Sequence, residues 1–356
     1  MKELYEYKLD LLYYGISLSP NCYQMLKKGS NGQVNNDDYI TTKGLMVLLD
    51  NKIYVNANLY EASKYQIDFE NDEFCLLCEG LKVCSVKIIQ PPDYALDKVA
   101  LSTGKLITDV VNVHGDRLRL QPISGCANHC KFCDINKYGY QECSIEELDE
   151  AFTYAMKNVS FRHVLISGGT PRSLDESYEY LNRVYKYFGE KYGDNYPIDI
   201  MLVPRGLTVR DDNSDGYRSF IKSLKNWKIS GLYVNLELYN SNARKNLIPQ
   251  KSLVGYDNYL KFIKLAVEVF GIGNVKSCLV VGLESIPDTL KAVKDLCEIG
   301  CVPILSPYVP IDDSIDAPTP DFMKEVLIKT REITEKYNID LGPSCQSCRH
   351  NTIHFK

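Results

Sequence analysis

An apolar run leads directly into a cysteine loop at residues 116–133, which read DRLRLQPISGCANHCKFC. The run LRLQPIS (118–124) has the composition of a buried strand. Three cysteines follow it at once: Cys126, Cys130 and Cys133. In (β/α) barrels the chemical groups lie at the carboxyl ends of the strands. The segment therefore predicts a cysteine-based site at the mouth of such a sheet.

The rest of the chain supplies the other strands and helices. Further apolar runs occur at 163–169, 198–204, 232–238, 276–282 and 302–308, with a short last one at 338–342. Amphipathic helices separate them: Ser144 and Glu147 form a capping box before one helix, and Thr319 precedes Pro320 at the start of another. This alternation predicts a parallel sheet covered by helices. We expect an α/β fold with a full or partial (β/α) TIM-like barrel.

The segment before the barrel has a different pattern. Two pairs of short strands, GLMVLLDNKIYVNANL (44–59) and FCLLCEGLKVCSVKII (74–89), surround turns at Asp50-Asn51 and Glu79-Gly80. These strands predict a small, mostly β N-terminal accessory region. We expect three parts: the accessory region at 1–115, the barrel core at 116–310, and a C-terminal extension at 311–356 with a C-x2-C pair.

The composition is that of an ordinary globular protein. The chain has 356 residues, of which 45% are hydrophobic and 24% charged, and this excludes a disordered or collagen-like protein. The net charge is −5, so we do not expect a nucleic-acid partner held by overall positive charge. No apolar run reaches about 20 residues, so no membrane partner is expected. The opening MKELYEYKLDLLYYGI lacks the features of a signal peptide, and we expect a cytoplasmic protein.

Thirteen cysteines occur in the chain. In a reducing compartment, clustered cysteines indicate metal ligands rather than disulfides. The C-x3-C-x2-C loop has two interpretations. Three thiolates can hold three irons of a four-iron cluster and leave the fourth iron open to a small molecule. Alternatively, a zinc ion takes the three thiolates and His129 as its four ligands.

In this setting the loop resembles the cluster motif of the radical S-adenosylmethionine (SAM) superfamily, with the aromatic Phe132 just before the last cysteine. The similarity extends from residue 116 to about residue 310 and is nearest to biotin synthase and lipoyl synthase. It implies that the three cysteines hold a [4Fe–4S] cluster to which SAM binds. One electron from the cluster then cleaves SAM to methionine and a 5′-deoxyadenosyl radical, which abstracts a hydrogen atom from a substrate.

The resemblance also implies partners. A low-potential electron donor such as ferredoxin or flavodoxin would reduce the cluster. A small molecule is the expected substrate, a peptide substrate is left open, and RNA modification is left open as the less expected class. By analogy with biotin and lipoyl synthases, the expected reaction is sulfur insertion or a change of a carbon skeleton. The alternative is a non-catalytic barrel protein that binds zinc or carries an iron–sulfur cluster.

The segment Ser167-Gly168-Gly169-Thr170-Pro171 follows the second barrel strand. The family has a GGE-P-like motif here, whose backbone receives the amino group of the methionine part of SAM. This sequence has Thr170 where Glu is frequent. A tight turn in which Thr170 caps the next helix explains the same residues without a ligand.

Polar residues on a later strand extend the predicted SAM site. Asn235 and Glu237 are two positions apart, so they share one face of the strand. The alternative for Glu237 is a structural ion pair with Arg205 or Arg244. Both arginines and Lys251 are also candidates to pair with a carboxylate of SAM or substrate. The SAM-binding set implied by the resemblance is Phe132, Ser167, Gly168, Gly169, Thr170, Asn235, Glu237, Arg244 and Pro307.

A second metal site is predicted near the end of the chain. Cys345 and Cys348 form a C-x2-C pair, which is half of a metal site. The resemblance to cluster-carrying enzymes implies an auxiliary iron–sulfur cluster at this pair, and the further ligands considered are His350, Cys278, Cys297 and Cys301. A reduced, unliganded pair or a labile disulfide is the other interpretation. The separate group Cys75, Cys78 and Cys84 is expected to pack in the core.

Overall fold

The computed structural model describes residues 2–29, 44–172, 176–204 and 214–355. Arg205, one of the two partners considered for Glu237, lies outside these ranges. The described residues form two large sheets, one before and one within the predicted barrel region.

The N-terminal sheet combines the two predicted hairpins with two further strands and two helices. Its elements are α1 (Leu4–Tyr14), β1 (Ser17–Leu18), α2 (Pro20–Gly29), β2 (Gly44–Leu49), β3 (Ile53–Asn58), β4 (Tyr65–Glu70), β5 (Glu73–Cys78) and β6 (Leu81–Ile88). The six strands are ordered β1-β4-β5-β6-β2-β3. Asp50 and Asn51 turn between β2 and β3 with positive φ. Cys75 and Cys84 are buried in this sheet, as expected of core cysteines.

The barrel region follows a short helix, α3 (Asp93–Leu96). Its elements are β7 (Val111–His114), β8 (Arg117–Leu120), β9 (Ile123–Ser124), β10 (Gln141–Glu142), α4 (Ile145–Asn158), β11 (His163–Ile166), α5 (Glu176–Tyr192), β12 (Ile198–Met201), α6 (Ser214–Asn226), β13 (Gly231–Tyr233), α7 (Ser241–Leu247), α8 (Pro249–Ser252), α9 (Tyr256–Phe270), β14 (Val275–Val281), α10 (Ile286–Glu298), β15 (Val302–Pro307) and α11 (Pro320–Tyr337). Short 3-10 turns lie at Ile107–Asp109, Ile135–Lys137 and Ser347–Asn351.

The seven strands of the barrel sheet are ordered β15-β14-β13-β12-β11-β8-β7. Strands β8 and β11 to β15 are parallel, and β7 pairs antiparallel with β8 at the edge. Within the described residues β15 does not pair with β7, so the sheet curls without closing. The fold is therefore a partial (β/α) barrel, one of the two forms predicted.

Successive side chains of the barrel strands point alternately outward, toward the helices, and inward, into the lumen. The outward side chains, such as Leu118, Val164 and Ile200, are buried under the helices in the main core. The inward side chains line the lumen, where Leu165, Tyr233 and Ile304 form a small apolar cluster.

Two of the helices begin at residues whose side chains cap them. Ser144 accepts a hydrogen bond from the Glu147 amide, and Thr319 accepts one from the Phe322 amide.

Several predicted strands are shorter than their apolar runs, and the two described next show why. The run 232–238 pairs as β13 only to Tyr233, and Glu237 then bridges Leu279 with φ near 66°. This left-handed residue interrupts the ladder, because the backbone there cannot continue as an extended strand. The run 338–342 contributes one bridge, between Gly342 and Ile304.

The last described residues run back across the amino ends of the barrel strands. Lys8 of α1 is buried and donates hydrogen bonds to the carbonyl oxygens of Arg349 (2.8 Å) and His354 (2.5 Å). These bonds connect the N-terminal unit to the C-terminal segment. None of the helices in the described ranges is both long and apolar enough to cross a membrane.

Candidate active site

A cavity of about 210 Å³ opens where the first parallel barrel strands end. Ten of the predicted site residues line it: Cys126, Cys130, Phe132, Cys133, Ser167, Gly168, Gly169, Thr170, Asn235 and Glu237. They come from three separate chain segments, the cysteine loop, the turn after β11 and the stretch after β13. The parallel arrangement brings these segments together because the carboxyl ends of all these strands meet at one rim.

The cysteine loop and the SGGTP turn are joined through the Cys126 sulfur. This Sγ atom accepts hydrogen bonds from the backbone amides of Asn128 (3.4 Å) and Thr170 (3.2 Å). The side-chain amide of Asn128 donates to Thr170 Oγ1 at 2.8 Å in a buried contact. The Thr170 carbonyl in turn accepts from the Ala127 amide at 3.0 Å. These bonds place a sulfur ligand next to the SGGTP turn.

The close approach of the two loops requires glycine. A Cβ atom on Gly169 would lie 1.6 Å from the Gly125 carbonyl oxygen. Gly168 has φ near 147°, and a Cβ there would lie 2.6 Å from the Ile123 carbonyl oxygen. Side chains at these two positions would push the turn away from the cysteine loop.

The three thiols are spaced more widely than the ligands of a single ion. In the described part of the chain, one group of three or more Cys, His, Asp and Glu ligand atoms lies within 4.8 Å of one another, and the loop cysteines are not in it. A tetrahedral zinc with Zn–S bonds of about 2.3 Å holds its sulfurs about 3.8 Å apart. His129 contacts the Asn136 amide through Nδ1 at 3.4 Å and is exposed.

Burial keeps two of these thiols protonated in the absence of metal. Desolvation raises the pKa of Cys130 to about 12 and also raises the pKa of Cys133. A metal must therefore displace protons when it binds, because the thiolate is the ligand. Phe132, Leu238 and Ile248 pack around these cysteines and make the pocket apolar.

Glu237 lines the same cavity and forms an ion pair with Lys251. The Lys251 ammonium donates to Glu237 Oε1, and both side chains are nearly buried. The second carboxylate oxygen, Oε2, is buried and has no hydrogen-bond partner among the described residues. Burial lowers the pKa of Lys251, but the Glu237 charge outweighs this and raises the pKa above its ordinary value. Lys251 therefore remains a cation, and it lines the same cavity.

Arg244, a predicted SAM contact, is not among the residues that line this cavity. Its guanidinium is buried and donates through Nη1 to the carbonyl oxygens of Leu236 (2.7 Å) and Leu238 (2.8 Å). It thus braces the backbone on both sides of Glu237. Of the two partners considered for Glu237, Arg244 bonds to backbone carbonyls instead, and Arg205 lies outside the described residues. Lys251 forms the ion pair that the structure describes.

A second cavity of about 300 Å³ lies deeper in the lumen. It shares Arg119, Phe132, Ser167 and Asn235 with the first cavity. The predicted residue Pro307 lines this second cavity. Residues from the N-terminal sheet and the C-terminal segment complete its wall: Asn56, Asn58, Pro343, Cys348, His350, Asn351 and Thr352.

Arg119 joins the two cavities and was not predicted from the sequence. Its Nε atom donates to Ser167 Oγ at 2.7 Å. The sequence signal was present, since Arg119 alternates with Leu118 and Leu120 in an otherwise apolar strand. An inward-facing charge in a buried strand is costly unless it has partners or ligands.

Cys345 and Cys348 lie away from the cysteine loop, at the amino ends of the barrel strands. Their neighbours are Asp116 and His163. His350, one of the ligands considered, is buried nearby, and its Nδ1 contacts the Ser347 carbonyl oxygen. The residues whose ligand atoms approach this pair are therefore Asp116 and His163, and not the candidates His350, Cys278, Cys297 and Cys301.

Comparisons with known proteins give a family. The sequence matches the model of the Radical SAM superfamily over residues 120–297, half of the chain. A comparison with curated proteins finds no match. This matched segment contains the cysteine loop, the SGGTP turn and Glu237.

Solved structures with a similar arrangement come from several organisms. The chain is similar to a radical SAM methyltransferase from Sphaerobacter thermophilus, with 16% identity and a TM-score of 0.49 over 65% of this chain and 67% of that chain. It is similar to the FeFe-hydrogenase maturase HydG from Carboxydothermus hydrogenoformans, with 18% identity and a TM-score of 0.47 over 65% and 55% of the two chains. It is also similar to SuiB from Streptococcus suis, with 15% identity and a TM-score of 0.49 over 67% and 53%.

The matched regions thus span little more than half the length of HydG and SuiB. The family assignment depends on the sequence match, which covers the segments that build the cavity. This chain belongs to the Radical SAM superfamily, a family of enzymes that cleave SAM to a radical at an iron–sulfur cluster.

Proposed function

We propose that this enzyme binds a [4Fe–4S] cluster at Cys126, Cys130 and Cys133, cleaves SAM in the adjoining cavity, and abstracts a hydrogen atom from a small anionic molecule in the lumen. The observation that carries the proposal is the meeting of three thiols, a glycine turn and an unsatisfied carboxylate oxygen in one cavity. The radical chemistry follows from family membership. The residues and the substrate class are our proposals.

The cysteine loop fits a cluster better than a single ion. Its thiols share a cavity but lie farther apart than the ligands of one tetrahedral metal. Three protein ligands on four irons leave one iron free to bind a small molecule. The amides of Asn128 and Thr170 donate to the Cys126 sulfur, and hydrogen bonds of this kind tune cluster potentials.

Glu237 and the glycine turn fit the polar groups of SAM. Glu237 Oε2 is buried without a partner in residues 2–29, 44–172, 176–204 and 214–355, and a buried carboxylate oxygen left unsatisfied costs free energy. A ribose hydroxyl would donate to it. We assign the backbone of Ser167, Gly168, Gly169 and Thr170 to the methionine part of SAM, because these residues lie beside Cys126 and Gly169 has no room for a side chain.

The chain positions these groups and excludes water. When bound, the cluster and SAM supply a one-electron cleavage that yields methionine and a 5′-deoxyadenosyl radical. Lys251 holds Glu237 Oε1 and so directs Oε2 toward the ligand. Arg244 fixes the backbone on either side of Glu237. The apolar side chains around Cys130 keep the site dry, which protects a reactive intermediate from side reactions.

The second cavity fits a small anion. Arg117 and Arg119 line it, and no Asp or Glu is among the described residues of its lining. Burial lowers the pKa of His350 to about 3, so this residue is neutral at pH 7. The cavity of about 300 Å³ suits a small molecule. Because it adjoins the SAM cavity through Arg119 and Asn235, a bound substrate would lie beside the radical.

The predicted auxiliary cluster does not enter this proposal. Cys345 and Cys348 lie close to Asp116 and His163, at spacings that suit one ion. We therefore favour hydrogen abstraction that rearranges or modifies a carbon skeleton over sulfur insertion, which needs a sulfur donor next to the substrate. We expect the electron to come from a low-potential donor such as ferredoxin or flavodoxin.

The first experiment separates the enzyme from a cluster carrier. The protein is reconstituted anaerobically with iron and sulfide, reduced with dithionite and given SAM. We expect about four irons per chain at the loop and release of 5′-deoxyadenosine. A full cluster without 5′-deoxyadenosine would instead support the non-catalytic carrier.

The second experiment tests the substrate class. Panels of small carboxylates, phosphates and peptides are compared for their ability to stimulate 5′-deoxyadenosine release. We expect stimulation by small anions and its loss in Arg117→Gln, with the slow release that occurs without substrate retained. Stimulation by peptides alone would overturn the small-anion proposal but not the SAM chemistry.

A further inference from the structure

Four metal-binding side chains converge at the amino ends of the barrel strands. Asp116 lies in the turn between β7 and β8, His163 begins β11, and Cys345 and Cys348 lie on the C-terminal segment. Their four ligand atoms all lie within 4.8 Å of one another. The Cys345 Sγ to Asp116 Oδ1 distance is 2.8 Å, Cys348 Sγ to His163 Nε2 is 3.5 Å, and His163 Nε2 to Asp116 Oδ1 is 3.7 Å.

The distances of 3.5 Å and 3.7 Å match the edges of a tetrahedron around one ion. The shorter Cys345–Asp116 distance of 2.8 Å is that of a hydrogen bond from the thiol, which a metal would replace. Bonds of about 2.0 Å to nitrogen or oxygen and about 2.3 Å to sulfur give ligand separations of about 3.3–3.8 Å. Thiolates on different irons of a cluster are farther apart, because a metal–metal distance separates their binding points. We propose that Asp116, His163, Cys345 and Cys348 bind a single zinc ion, separate from the iron–sulfur centre.

The ligand types favour zinc among the common ions. Two thiolates, an imidazole and a carboxylate form a mixed set that zinc accepts in four-coordinate sites. Calcium and magnesium require mostly oxygen ligands. Four protein ligands leave no open position, so this is a structural site rather than a catalytic one.

Neighbouring groups orient the ligands. Ser347 Oγ donates to Asp116 Oδ1, and Arg162 Nε donates to Asp116 Oδ2 at 2.6 Å. The Cys348 amide donates to the Cys345 sulfur at 3.4 Å. Arg349 fixes the approach to the pair by donating to the carbonyl oxygens of Pro343 (2.8 Å) and Ser344 (2.9 Å). Such outer contacts are typical of built metal sites.

The backbone also accommodates this approach. Gly115, next to Asp116, has φ near 62°, and a Cβ there would lie 2.4 Å from the Ser347 Cβ. Only glycine allows the turn between β7 and β8 to lie against the C-x2-C segment.

A bound ion would hold the C-terminal segment across the amino ends of the barrel strands and so close that end of the lumen. Cys348, His350, Asn351 and Thr352 line the second cavity. Zinc would connect this segment to Asp116, just before β8, and to His163, the first residue of β11. The site thus determines the shape of the proposed substrate cavity without taking part in SAM cleavage.

Metal analysis tests this inference on the anaerobically purified full chain. We expect about one zinc per chain in addition to the iron of the cluster. The variants Cys345→Ser and Cys348→Ser, singly and together, should lose the zinc and keep the iron. Cys78→Ser is the matched control, because Cys78 is half-buried in the N-terminal sheet. Iron loss in place of zinc loss would show an auxiliary cluster and overturn the proposal.

Cobalt provides a second readout that does not depend on any variant folding. Co²⁺ added to zinc-depleted protein should show the visible bands of a tetrahedral ion and thiolate-to-cobalt charge transfer in the ultraviolet. Asp116→Asn and His163→Gln should each shift these bands, and far-ultraviolet circular dichroism reports whether the variants are folded. An octahedral cobalt spectrum in the unmodified protein would refute the site. Because these readouts are separate from iron content and 5′-deoxyadenosine, they can fail while the proposed SAM chemistry stands.

Discussion

Lys251 donates to one carboxylate oxygen of Glu237, while the other oxygen, Oε2, is buried with no hydrogen-bond partner in the part of the chain that the structure describes. The ion pair lies on the wall of the cavity that also contains the three loop cysteines. A buried ion pair with one unsatisfied oxygen is an unfavourable way to stabilise a fold, because the desolvation of that oxygen is not compensated by a hydrogen bond. The relationship is better explained by a ligand that supplies the missing donor.

Removing the Glu237 charge should therefore weaken SAM binding. In Glu237→Gln we expect the SAM dissociation constant to rise by at least tenfold, which corresponds to about 1.4 kcal/mol. Equilibrium dialysis on the reconstituted protein measures it, with iron content expected to stay unchanged. Glu325→Gln is the matched control, because Glu325 forms an exposed pair with Lys329 on α11.

A double variant separates binding from structure. Glu237→Gln alone leaves the Lys251 ammonium buried without its partner, which destabilises a fold by about 3 kcal/mol. Adding Lys251→Met should recover stability in urea unfolding but not SAM affinity. Recovery of affinity together with stability would show that the pair is only structural.

The three loop cysteines should be individually indispensable for the cluster. Cys126→Ala, Cys130→Ala and Cys133→Ala should each lose most of the iron and all 5′-deoxyadenosine release, because each removes one ligand of three. Cys78→Ser should retain both. A single-alanine variant that kept full iron and full cleavage would remove that cysteine from the ligand set.

The glycine turn should tolerate no side chain. In Gly169→Ala the new Cβ would meet the Gly125 carbonyl oxygen at 1.6 Å, so the turn must move away from the cysteine loop. We expect reduced iron loading and weaker SAM binding, measured as above. Gly139→Ala is the control, since a Cβ at Gly139 meets no heavy atom within 4 Å. Equal behaviour of the two variants would contradict the close-approach argument.

The buried C-terminal histidine should make the fold sensitive to acid. Burial lowers the pKa of His354 to about 3 from an ordinary value of about 6.5. Between these values the unfolded chain binds a proton that the folded chain does not, so the free energy of unfolding falls as pH decreases, by at most about 1.4 kcal/mol per pH unit. Urea unfolding at pH 7.5 and pH 5.5 measures the slope.

The control variants identify the histidine responsible. His354→Gln should reduce the slope without abolishing it, because one of the titrating groups is gone while burial still lowers the pKa values of His350 and His114. His129→Gln should leave it unchanged, since His129 is exposed. An unchanged slope in His354→Gln would assign the acid sensitivity to other groups.

Much of the local structure could be predicted from residues close together in the sequence. The capping box at Ser144 and Glu147, the cap at Thr319 and the turns at Asp50-Asn51 and Glu79-Gly80 all occur where predicted. Each depends on contacts within a few residues. The apolar runs likewise predicted the order of the parallel strands, and a cysteine loop after the first of them marked the rim where the cavity lies.

The long-range pairings could not be predicted in this way. Lys251 meets Glu237 because α8 folds back over the end of β13, and a pattern of residue types does not specify that approach. Arg244 was expected at the ligand, yet its guanidinium braces the backbone around Glu237. The early end of β13 also depends on a left-handed residue that β propensity does not reveal.

By itself, the sequence determined the class of chemistry, because the three cysteines that would bind the cluster all lie in one short C-x3-C-x2-C loop after a barrel strand. Only the tertiary structure decided which distant side chains join those ligands. Asp116 and Cys345 lie at opposite ends of the barrel region in the chain but 2.8 Å apart in space. The physical reason is that helices, strands and turns depend on hydrogen bonds and side-chain patterns among nearby residues. A site is completed only when distant segments pack together to bury their apolar surfaces.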